Sequence, residues 1–382
     1  MHHDSLLPFS ILPNKQLKGS NLKYTVMTNP FKYGTIVEDE FFTDRREECR
    51  QIQMMLNSEN HLVLISPRRY GKSSLVTKCI KQSGRPYISL NLQSIVSIED
   101  FAVHLLKKIF DVYKWEKIKH LLKSFRLVPT ISTNPMTDTF EVAFNMSADY
   151  RAALEDTLQL LQKVTTPTER LIVVFDEFQE IESIDKHLPK MLRSILQEQS
   201  GLNYIFLGSQ ESMMEEIFEK KKSPFYHFGQ LMRLSKIPYQ DFYDYIVERL
   251  SQTNCLDAGI VAERILSFTQ CHPYYTQQLS AKVWDLLAYS ETSDAFADAI
   301  VTLVQMHDLD YERLWLNMNR TDRLVLRELA SGKGEQISSI KNVPQTTMYS
   351  ALRRLQKSGY VIKTESYMVE DPFFCQWIKN NM

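Results

Sequence analysis

The stretch that decides the fold is residues 61–79, which reads HLVLISPRRYGKSSLVTKC. Residues 61–65 form an apolar run that is typical of a buried parallel strand, and a turn rich in Pro, Arg and Gly follows. Helical spacing begins at Lys72. The loop matches the phosphate-binding pattern G-x-x-x-x-G-K-[ST] except at its first position, where Ser66 stands in place of Gly. We therefore predict a strand, a phosphate-binding loop and a helix, in that order.

Each residue type in this loop suits the binding of a polyphosphate. Gly71 lets the chain curl tightly, so that backbone amides and the helix N-terminus point at the anion. Lys72 supplies a positive charge to the β- and γ-phosphates, and the Ser73 hydroxyl can bind Mg²⁺. The alternative is an ordinary strand, turn and helix with a solvated lysine. The residues predicted to bind the phosphates are Ser66, Pro67, Arg68, Arg69, Tyr70, Gly71, Lys72, Ser73 and Ser74.

A second motif, residues 171–177 (LIVVFDE), is an apolar run that ends in two acids. A buried strand would deliver Asp176 to the carboxyl edge of a parallel sheet, where open α/β sheets bind their ligands. Asp176 is therefore predicted to reach the Mg²⁺ shell, and Glu177 is the natural base for activating water. Either run alone could be a plain core strand, but the two motifs in this order, about a hundred residues apart, favour a nucleotide site.

Length and composition limit the classes of protein to consider. At 382 residues the chain is long enough for two or three domains, because one core rarely exceeds about 250–300 residues. The net charge of −1 excludes a polycation, so any nucleic-acid contact must come from a local patch. Five widely spaced cysteines without metal-ligand spacing predict a reducing compartment. With no targeting signal and no apolar run near ~18 residues, we expect a cytoplasmic protein.

Several further segments make the sequence similar to a known family. The double Arg beside the phosphate-binding loop and the tetrapeptide DEFQ are its distinctive features. The chain resembles the archaeal-type ATPases of the STAND class of P-loop NTPases, which are relatives of AAA+ and origin-recognition ATPases. Two positions differ from that family: His227-Phe228 stand where relatives tend to carry an Arg, and Cys271 replaces a Gly. The segments that carry the resemblance are FTDRREE (42–48), ISPRRYGKSSL (65–75), VVFDEFQE (173–180), IFLGSQESMM (205–214), SPFYHF (223–228) and CHPYYTQQLS (271–280).

The resemblance implies further site residues and a reaction. It implies ATP and Mg²⁺ as cofactors and a Mg-dependent hydrolysis of ATP to ADP and phosphate, either slow or stimulated by a partner. It makes Ser209 or Gln210, at the end of a strand predicted over residues 202–208, the polar sensor of the γ-phosphate. It also implies that the turn at His272-Pro273 closes over the nucleotide base, although Pro273 could merely begin a helix. The expected catalytic residues are Glu177, Lys72, Ser209 and Gln210.

Two segments of the predicted core remain open to more than one interpretation. Residues 33–37 read as an extended segment close to the phosphate-binding loop, where an apolar slot that includes Tyr33 could hold the adenine. The same segment could instead be a strand that packs on the edge of the core. Residues 126–147 interrupt the α/β alternation with prolines and β-branched residues, which indicates either a hairpin or a long functional loop.

The C-terminal part has the element order of a winged helix. We predict helices at residues 324–330, 338–343 and 345–357, followed by strands at residues 359–363 and 367–369. In the third helix an apolar stripe points inward, which leaves Thr346, Ser350, Arg353 and Lys357 on the outer face. That face suits the major groove of DNA, but a winged helix can equally pack on a protein partner.

The overall prediction is an α/β protein built of three domains. A P-loop ATPase core with a parallel sheet of the additional-strand type spans residues 1–238, an all-α lid spans 239–308 and a winged-helix domain spans 309–382. We expect an ATPase that acts as a nucleotide-dependent molecular switch with DNA or protein partners. A non-hydrolysing nucleotide-binding scaffold and a DNA-binding regulator with ATP as effector are the alternatives. Assembly into a homo-oligomer is plausible, and no membrane contact is expected.

Overall fold

A computed structural model describes residues 28–37, 39–134, 139–144, 149–253, 255–332, 344–363 and 365–381. The described chain divides into two compact units, residues 45–235 and residues 28–44 together with 236–381. The sequence places residues 28–44 in the ATPase core, whereas the structure groups them with the later unit. The division of that later unit into a lid and an output domain stays a prediction, and the predicted helix at residues 338–343 lies outside the described residues.

The unit of residues 45–235 alternates helices and strands in the way that the apolar runs predict. Its helices are α1 (Arg46–Asn57), α2 (Lys72–Ser83), α3 (Ile98–Val112), α4 (Trp115–Leu122), α5 (Tyr150–Val164), α6 (Ile181–Ile184), α7 (Leu188–Leu196) and α8 (Glu211–Phe218). Its strands are β1 (Leu62–Ile65), β2 (Tyr87–Asn91), β3 (Thr130–Asn134), β4 (Thr139–Ala143), β5 (Leu171–Asp176), β6 (Leu202–Gly208) and β7 (Gln230–Arg233).

Five of these strands form one parallel sheet in the order β2-β5-β6-β1-β7. Strand β6 lies between β1 and β5, with Ile205 opposite both Leu62 and Val174. This arrangement confirms the additional-strand topology that the sequence predicts. Because all five strands run in the same direction, the carboxyl ends of β1, β5 and β6 meet at one edge of the sheet.

Burial explains why these runs form strands of a two-sided sheet. Every residue of β1 and of β6 is buried, as are the first five residues of β5. Strands covered by helices on both faces read as continuous apolar runs rather than as an alternating pattern. Aromatic side chains fill much of the core on one face, where Phe178 contacts the rings of Phe206 and Phe225 at centroid distances of 4.7 and 5.2 Å. Such edge-to-face contacts stabilise an aromatic core beyond simple area burial.

The segment that interrupts the α/β alternation is a β-hairpin. Strands β3 and β4 pair antiparallel, with Ile131 opposite Val142. The side chains of Val142 and Phe144 are buried and belong to the core of this unit. Of the two interpretations that the sequence left open, the hairpin is therefore the observed one.

The other compact unit is helical apart from one short hairpin within its described residues. Its helices are α9 (Tyr239–Leu250), α10 (Ala258–Thr269), α11 (Pro273–Tyr289), α12 (Ala295–Met306), α13 (Asp308–Asn317), α14 (Arg320–Ala330), α15 (Gln345–Lys357) and α16 (Pro372–Asn381). Its strands are β8 (Val361–Lys363) and β9 (Tyr367–Val369), which pair antiparallel. Among the described ranges, no helix is both long enough and apolar enough to cross a bilayer.

The early residues of this unit are held by α11 and α9. The Asn29 side-chain amide donates hydrogen bonds to the Ala281 carbonyl at 2.9 Å and to Asp285 Oδ1 at 2.8 Å. Phe31 is buried and lies edge-on to the ring of Tyr245, with centroids 5.8 Å apart. These contacts explain why residues 28–44 group with the later unit rather than with the sheet.

Helix α15 packs its apolar stripe inward, as the sequence predicts. The buried side chains are Met348, Ala351, Leu352 and Leu355, while Thr346, Ser350, Arg353 and Lys357 are exposed. Arg354 does not lie free on the surface, because Nε and Nη2 donate to the two Asp322 oxygens of α14 at 3.0 and 2.5 Å. Helix α16 closes the unit with buried aromatic side chains, and Trp377 Nε1 donates to Asp308 Oδ1 at 2.6 Å.

A buried amide organises the amino edge of the parallel sheet. Asn203, which is 1% exposed, donates from Nδ2 to the carbonyls of Ser58 and Asn60 at 3.1 and 2.7 Å. Its Oδ1 accepts hydrogen bonds from the guanidinium groups of Arg85 and Arg170 at 2.8 and 3.1 Å. One side chain therefore joins the start of β6 to the chain that leads into β1 and to two cations.

Replacement of this amide should lower the stability of the unit. Asn203→Ala would leave two guanidinium groups and two carbonyls without their buried partner, so we expect a loss of about 2–3 kcal/mol in the free energy of unfolding. Chemical denaturation of the two proteins measures the difference. Asn57→Ala, at an exposed position, is the matched control and should change stability by less than about 0.5 kcal/mol. Equal effects of the two substitutions would contradict the role of Asn203.

Candidate nucleotide-binding site

The predicted phosphate-binding loop joins the end of β1 to the start of α2. Two of its residues adopt the left-handed backbone region, Arg69 with φ 66° and Gly71 with φ 87°. A Cβ atom added at Gly71 would meet no heavy atom within 4 Å, so the loop leaves open space beside the helix N-terminus. Ser66, at the position of the first Gly in the phosphate-binding pattern, is not among the residues with positive φ, so its backbone conformation is open to a residue with a side chain.

Lys72 is the first residue of α2, and its ammonium group is buried in the loop. The side chain is 7% exposed, and Nζ donates to the carbonyls of Ser66 and Pro67 at 2.9 and 3.1 Å. Burial lowers the pKa of this ammonium, while the carboxylates of Glu177 and Asp176 act in the opposite direction. A buried cation with two acids nearby is typical of a site that binds an anion together with a metal ion.

Ser73 and Asp176 come together as the sequence predicts for a Mg²⁺ site. Ser73 Oγ donates to Asp176 Oδ2 at 3.0 Å, and the backbone amide of Glu177 donates to Asp176 Oδ1 at 2.9 Å. Burial raises the pKa of Asp176, and the neighbouring Glu177 carboxylate adds to that increase. A hydroxyl and a carboxylate are oxygen ligands of the kind that Mg²⁺ binds, usually with phosphate oxygens and water in the remaining positions. The residues present therefore fit the predicted ion.

Glu177 is held at the carboxyl edge of the sheet by two donors. It adopts the left-handed region with φ 51°, directly after β5. Its Oε2 accepts a hydrogen bond from Ser209 Oγ at 2.6 Å and another from Gln179 Nε2 at 2.5 Å. The structure thus brings the predicted base and one of the two predicted sensors into direct contact.

Gln179 is a candidate site residue that sequence reasoning missed. It is 1% exposed, and in the described structure its Oε1 is buried without a hydrogen-bond partner. The signal in the sequence was its place in the tetrapeptide DEFQ, two residues after the second acid. The sequence does not indicate a role for this amide, because its contact with Glu177 depends on the 3₁₀ turn at Phe178–Glu180.

Helix α8 begins two residues after Ser209 and carries acidic side chains. Burial raises the pKa of Glu211, and the nearby Glu215 carboxylate adds to the increase. Arg233, at the end of β7, donates from Nη2 to Glu215 and Glu219 at 2.8 and 2.9 Å. Arg233 is therefore engaged by carboxylates of its own unit.

The remaining predicted residues of this unit lie around the same loop or at the opposite edge. Tyr70 and Ser74 are buried, whereas Arg68 and Arg69 are exposed. The Gln210 carbonyl accepts hydrogen bonds from the backbone amides of Met213 and Met214 in the first turn of α8. His227 is exposed, while Phe228 lies 4.7 Å from the ring of His61, at the amino edge of the sheet. In this chain that position is therefore remote from the phosphate-binding loop of its own unit.

Tyr33, His272 and Pro273 belong to the other compact unit, and their predicted contact with the nucleotide base stays a prediction. Tyr33 lies edge-on to Tyr274 with ring centroids 5.8 Å apart. Pro273 begins α11, and His272 before it is 1% exposed with Nε2 3.8 Å from Glu370 Oε1. Cys271 has φ 57°, a left-handed conformation that favours Gly.

Together, the parallel sheet with its inserted strand, the loop before α2 and the acids after β5 define a P-loop ATPase domain. A family model described as an ATPase domain found predominantly in Archaea matches residues 42–277. The chain therefore belongs to this family, and the resemblance to the archaeal-type ATPases drawn from the motifs is confirmed. No curated protein sequence matches this chain.

Solved structures share the fold at low sequence identity. A Walker-type ATPase of Pyrococcus abyssi is similar with a TM-score of 0.61 and 16% identity, over 89% of this chain and 97% of that one. The ORC2 protein of Aeropyrum pernix in its ADP form is similar with a TM-score of 0.50 and 11% identity, over 90% of this chain and 96% of that one. At these identities the similarity establishes the α/β fold with its parallel sheet.

The raised pKa of Asp176 predicts a pH-dependent effect of its neutralisation. A carboxyl group whose pKa is raised in the folded state lowers the free energy of unfolding once it ionises. This destabilisation is present at neutral pH and absent at acid pH, where the group is protonated in both states. Asp176→Asn should therefore increase the free energy of unfolding near pH 7 by about 0.5–1 kcal/mol, a gain that is common when a functional site is relaxed. The amide can still accept from the Glu177 amide and donate to Ser73.

Urea denaturation at a series of pH values checks this prediction. The difference between Asp176→Asn and the native protein should shrink as the pH falls toward ~4, where an unfolded Asp also becomes protonated. Glu59→Gln, at an exposed acid, is the control and should show no such trend. A destabilisation by Asp176→Asn that is constant with pH would contradict the assigned electrostatics.

Proposed function

We propose that this protein binds ATP with Mg²⁺ and hydrolyses it as a nucleotide-dependent molecular switch. The observation that carries the proposal is the meeting of Ser73 with Asp176 at 3.0 Å and of Ser209 with Glu177 at 2.6 Å, at one edge of the sheet. A protein that only holds a nucleotide has no need of a positioned base. Hydrolysis therefore fits these residues better than the static scaffold does.

The phosphate-binding loop supplies the groups for the ground state. The Lys72 ammonium group, now bonded to two neutral carbonyls, would exchange them for phosphate oxygens, which form stronger charge-assisted hydrogen bonds. Ser73 and Asp176 would hold the Mg²⁺ ion. When bound, that ion neutralises charge on the phosphoryl group that is transferred.

Glu177 is proposed as the general base, and Ser209 and Gln179 as the residues that orient it. Both donors engage Oε2, so Oε1 is the oxygen that remains to accept a proton from an attacking water. Loss of the γ-phosphate would change the charges that face Lys72 and Ser209. That change is the event that a switch would pass on to the rest of the chain.

The first test separates binding from chemistry with Glu177→Gln. The amide retains the shape of the side chain but is not basic, so turnover should fall by about 10²-fold or more while ATP affinity stays within about threefold. Phosphate release at saturating ATP and titration calorimetry measure the two quantities. Glu182→Gln, at an exposed acid after the same strand, is the matched control and should leave both unchanged.

Lys72→Ala completes this test, because it removes the charge that the phosphates require. ATP affinity should fall by about tenfold or more. Unchanged affinity would overturn the assignment of the loop. If the native protein released no phosphate above background under any partner condition, the scaffold alternative would replace the hydrolase.

We further propose that residues 309–382 form a winged-helix output domain. Helix α14, helix α15 and the hairpin β8-β9 follow the element order of that fold, and the ion pair between Arg354 and Asp322 fixes α15 on α14. The outer face of α15 carries exposed hydroxyl and basic side chains, which suits phosphates and base edges of DNA. A protein partner on the same face is the alternative.

Salt dependence distinguishes DNA from a protein partner on this face. The affinity for DNA falls as salt rises, and each phosphate contact adds about one to the steepness of the plot of log affinity against log salt. Arg353→Ala combined with Lys357→Ala should therefore make this plot flatter, with the magnitude of its slope reduced by about two. Fluorescence anisotropy with a mixed-sequence duplex, with and without ATP, measures the slope. Arg46→Ala combined with Arg50→Ala removes the same charge from α1 and should leave the slope unchanged. No salt-sensitive binding at low ionic strength would favour the protein partner.

A further inference from the structure

Two cysteines of the ATPase unit lie in contact although they are 30 positions apart in the chain. Cys49 belongs to α1 and Cys79 to α2, and the Cys79 thiol donates to Cys49 Sγ with the two sulfurs 3.0 Å apart. A disulfide bond is about 2.05 Å long, so the two atoms need to approach by only about 1 Å to form one. The nucleotide site uses neither thiol.

The two thiols differ in their access to solvent. Cys79 is 0% exposed, whereas Cys49 is partly exposed at the surface of α1. Cys49 is therefore the more accessible residue of the pair, and the sulfur of buried Cys79 lies 3.0 Å from the sulfur of Cys49. Gln53, one turn after Cys49, donates from Nε2 to the Cys79 carbonyl at 2.6 Å and so holds the two helices together beside the sulfurs.

Electrostatics distinguish Cys49 from the other cysteines. The hydrogen bond from Cys79 lowers the pKa of Cys49 to about 7, and the charge of Lys78 acts in the same direction. Burial raises the pKa of the three cysteines outside the pair, which are Cys255, Cys271 and Cys375. Since the thiolate is the nucleophile, Cys49 is the thiol that reacts at neutral pH.

We propose that Cys49 and Cys79 form an oxidation site that hydrogen peroxide converts into an intramolecular disulfide. The Cys49 thiolate attacks a peroxide oxygen, so that an S–O bond forms, the O–O bond breaks and the leaving hydroxide takes up a proton to become water. The Cys79 sulfur then attacks the sulfur of the sulfenic acid at Cys49, so that the S–S bond forms as the S–O bond breaks, and the departing hydroxide leaves with the Cys79 thiol proton as a second water. The two thiols lose two electrons in total, and the peroxide gains them.

The new bond would close a covalent ring around the phosphate-binding loop. Residues 49–79 include most of α1, the whole of β1, the loop and the first two turns of α2. A dithiol reductant would open the ring again by thiol–disulfide exchange. The site itself does not depend on ATP hydrolysis, so its test is independent of the proposed function.

The test treats the full-length, fully reduced protein with hydrogen peroxide and maps its peptides by mass spectrometry. We expect a linked pair of peptides containing Cys49 and Cys79 that has lost two hydrogens, while Cys255, Cys271 and Cys375 remain reduced. The rate should fall about tenfold for each pH unit below 7, because the thiolate is then protonated. A rate profile centred near the ordinary value of about 8.5 would contradict the role of Cys79 as a donor to Cys49.

Variants identify the order of the two steps. With Cys79→Ala the peroxide should yield a sulfenic acid at Cys49 that a 1,3-dione reagent traps, and no linked peptide should form. With Cys49→Ala the buried Cys79 should not react. Cys375→Ala is the matched control and should leave both the linkage and its rate unchanged. Circular dichroism of each variant checks that the fold is retained.

A measurement on the native protein also tests the proposal, and it does not depend on the folding of any variant. A cross-link that restrains the unfolded chain should raise the thermal midpoint of the oxidised protein by several degrees, and dithiothreitol should reverse the increase. The proposal is wrong if Cys49 is oxidised no faster than Cys255, Cys271 and Cys375, or if the disulfides that form join other cysteines or separate molecules.

Discussion

The insertion of β6 between β1 and β5 is the constraint on which the candidate site depends. The pairing of Ile65 with Gly208 and of Phe175 with Phe206 sets the ends of three strands side by side. At the end of β6, a Cβ on Gly208 would lie 2.3 Å from the side chain of buried Met214, so α8 can pack directly against the strand. This close approach fixes the turn that carries Ser209 to Glu177.

The same edge collects groups that reduce the stability of the fold. Lys72 is buried with a lowered pKa, Asp176 has a raised pKa, and Glu177 adopts a left-handed backbone that L-residues seldom use. Strained and poorly solvated groups of this kind concentrate at functional sites. The opposite edge of the sheet contrasts with this, because Asn203 and Arg85 there pair their buried polar atoms with partners.

The later unit is organised by apolar stripes on its helices, and what those stripes leave exposed is the surface available to a partner. In α15 every third or fourth residue is buried, and the basic residues divide into two groups as a result. Arg354 is used inside the unit to bind Asp322, whereas Arg353 and Lys357 face outward. Adjacent basic residues therefore make different contacts, because the helical period points them in different directions.

The sequence by itself determined the parts of this protein that depend on local chemistry. The apolar runs at residues 62–65 and 171–175 predicted buried strands, and Gly71, Lys72 and Ser73 belong together because a phosphate-binding turn needs those residue types in that order. Local spacing also predicted the inward stripe of α15 correctly. These features depend on residues that are close together in the chain, and therefore the sequence alone determines them.

The phosphate-loop and acid motifs predicted the meeting of Ser73 with Asp176, but only the tertiary structure decided the distant contacts that no motif indicates. The contact of Gln179 with Glu177 requires the turn after β5, and the contact of Cys49 with Cys79 requires two helices to pack side by side. The grouping of residues 28–44 with the later unit depends on contacts of Asn29 and Phe31 with residues more than 200 positions away in the chain. Sequence spacing carries no signal for such contacts, because they arise from the packing of whole elements rather than from the residues beside them in the chain.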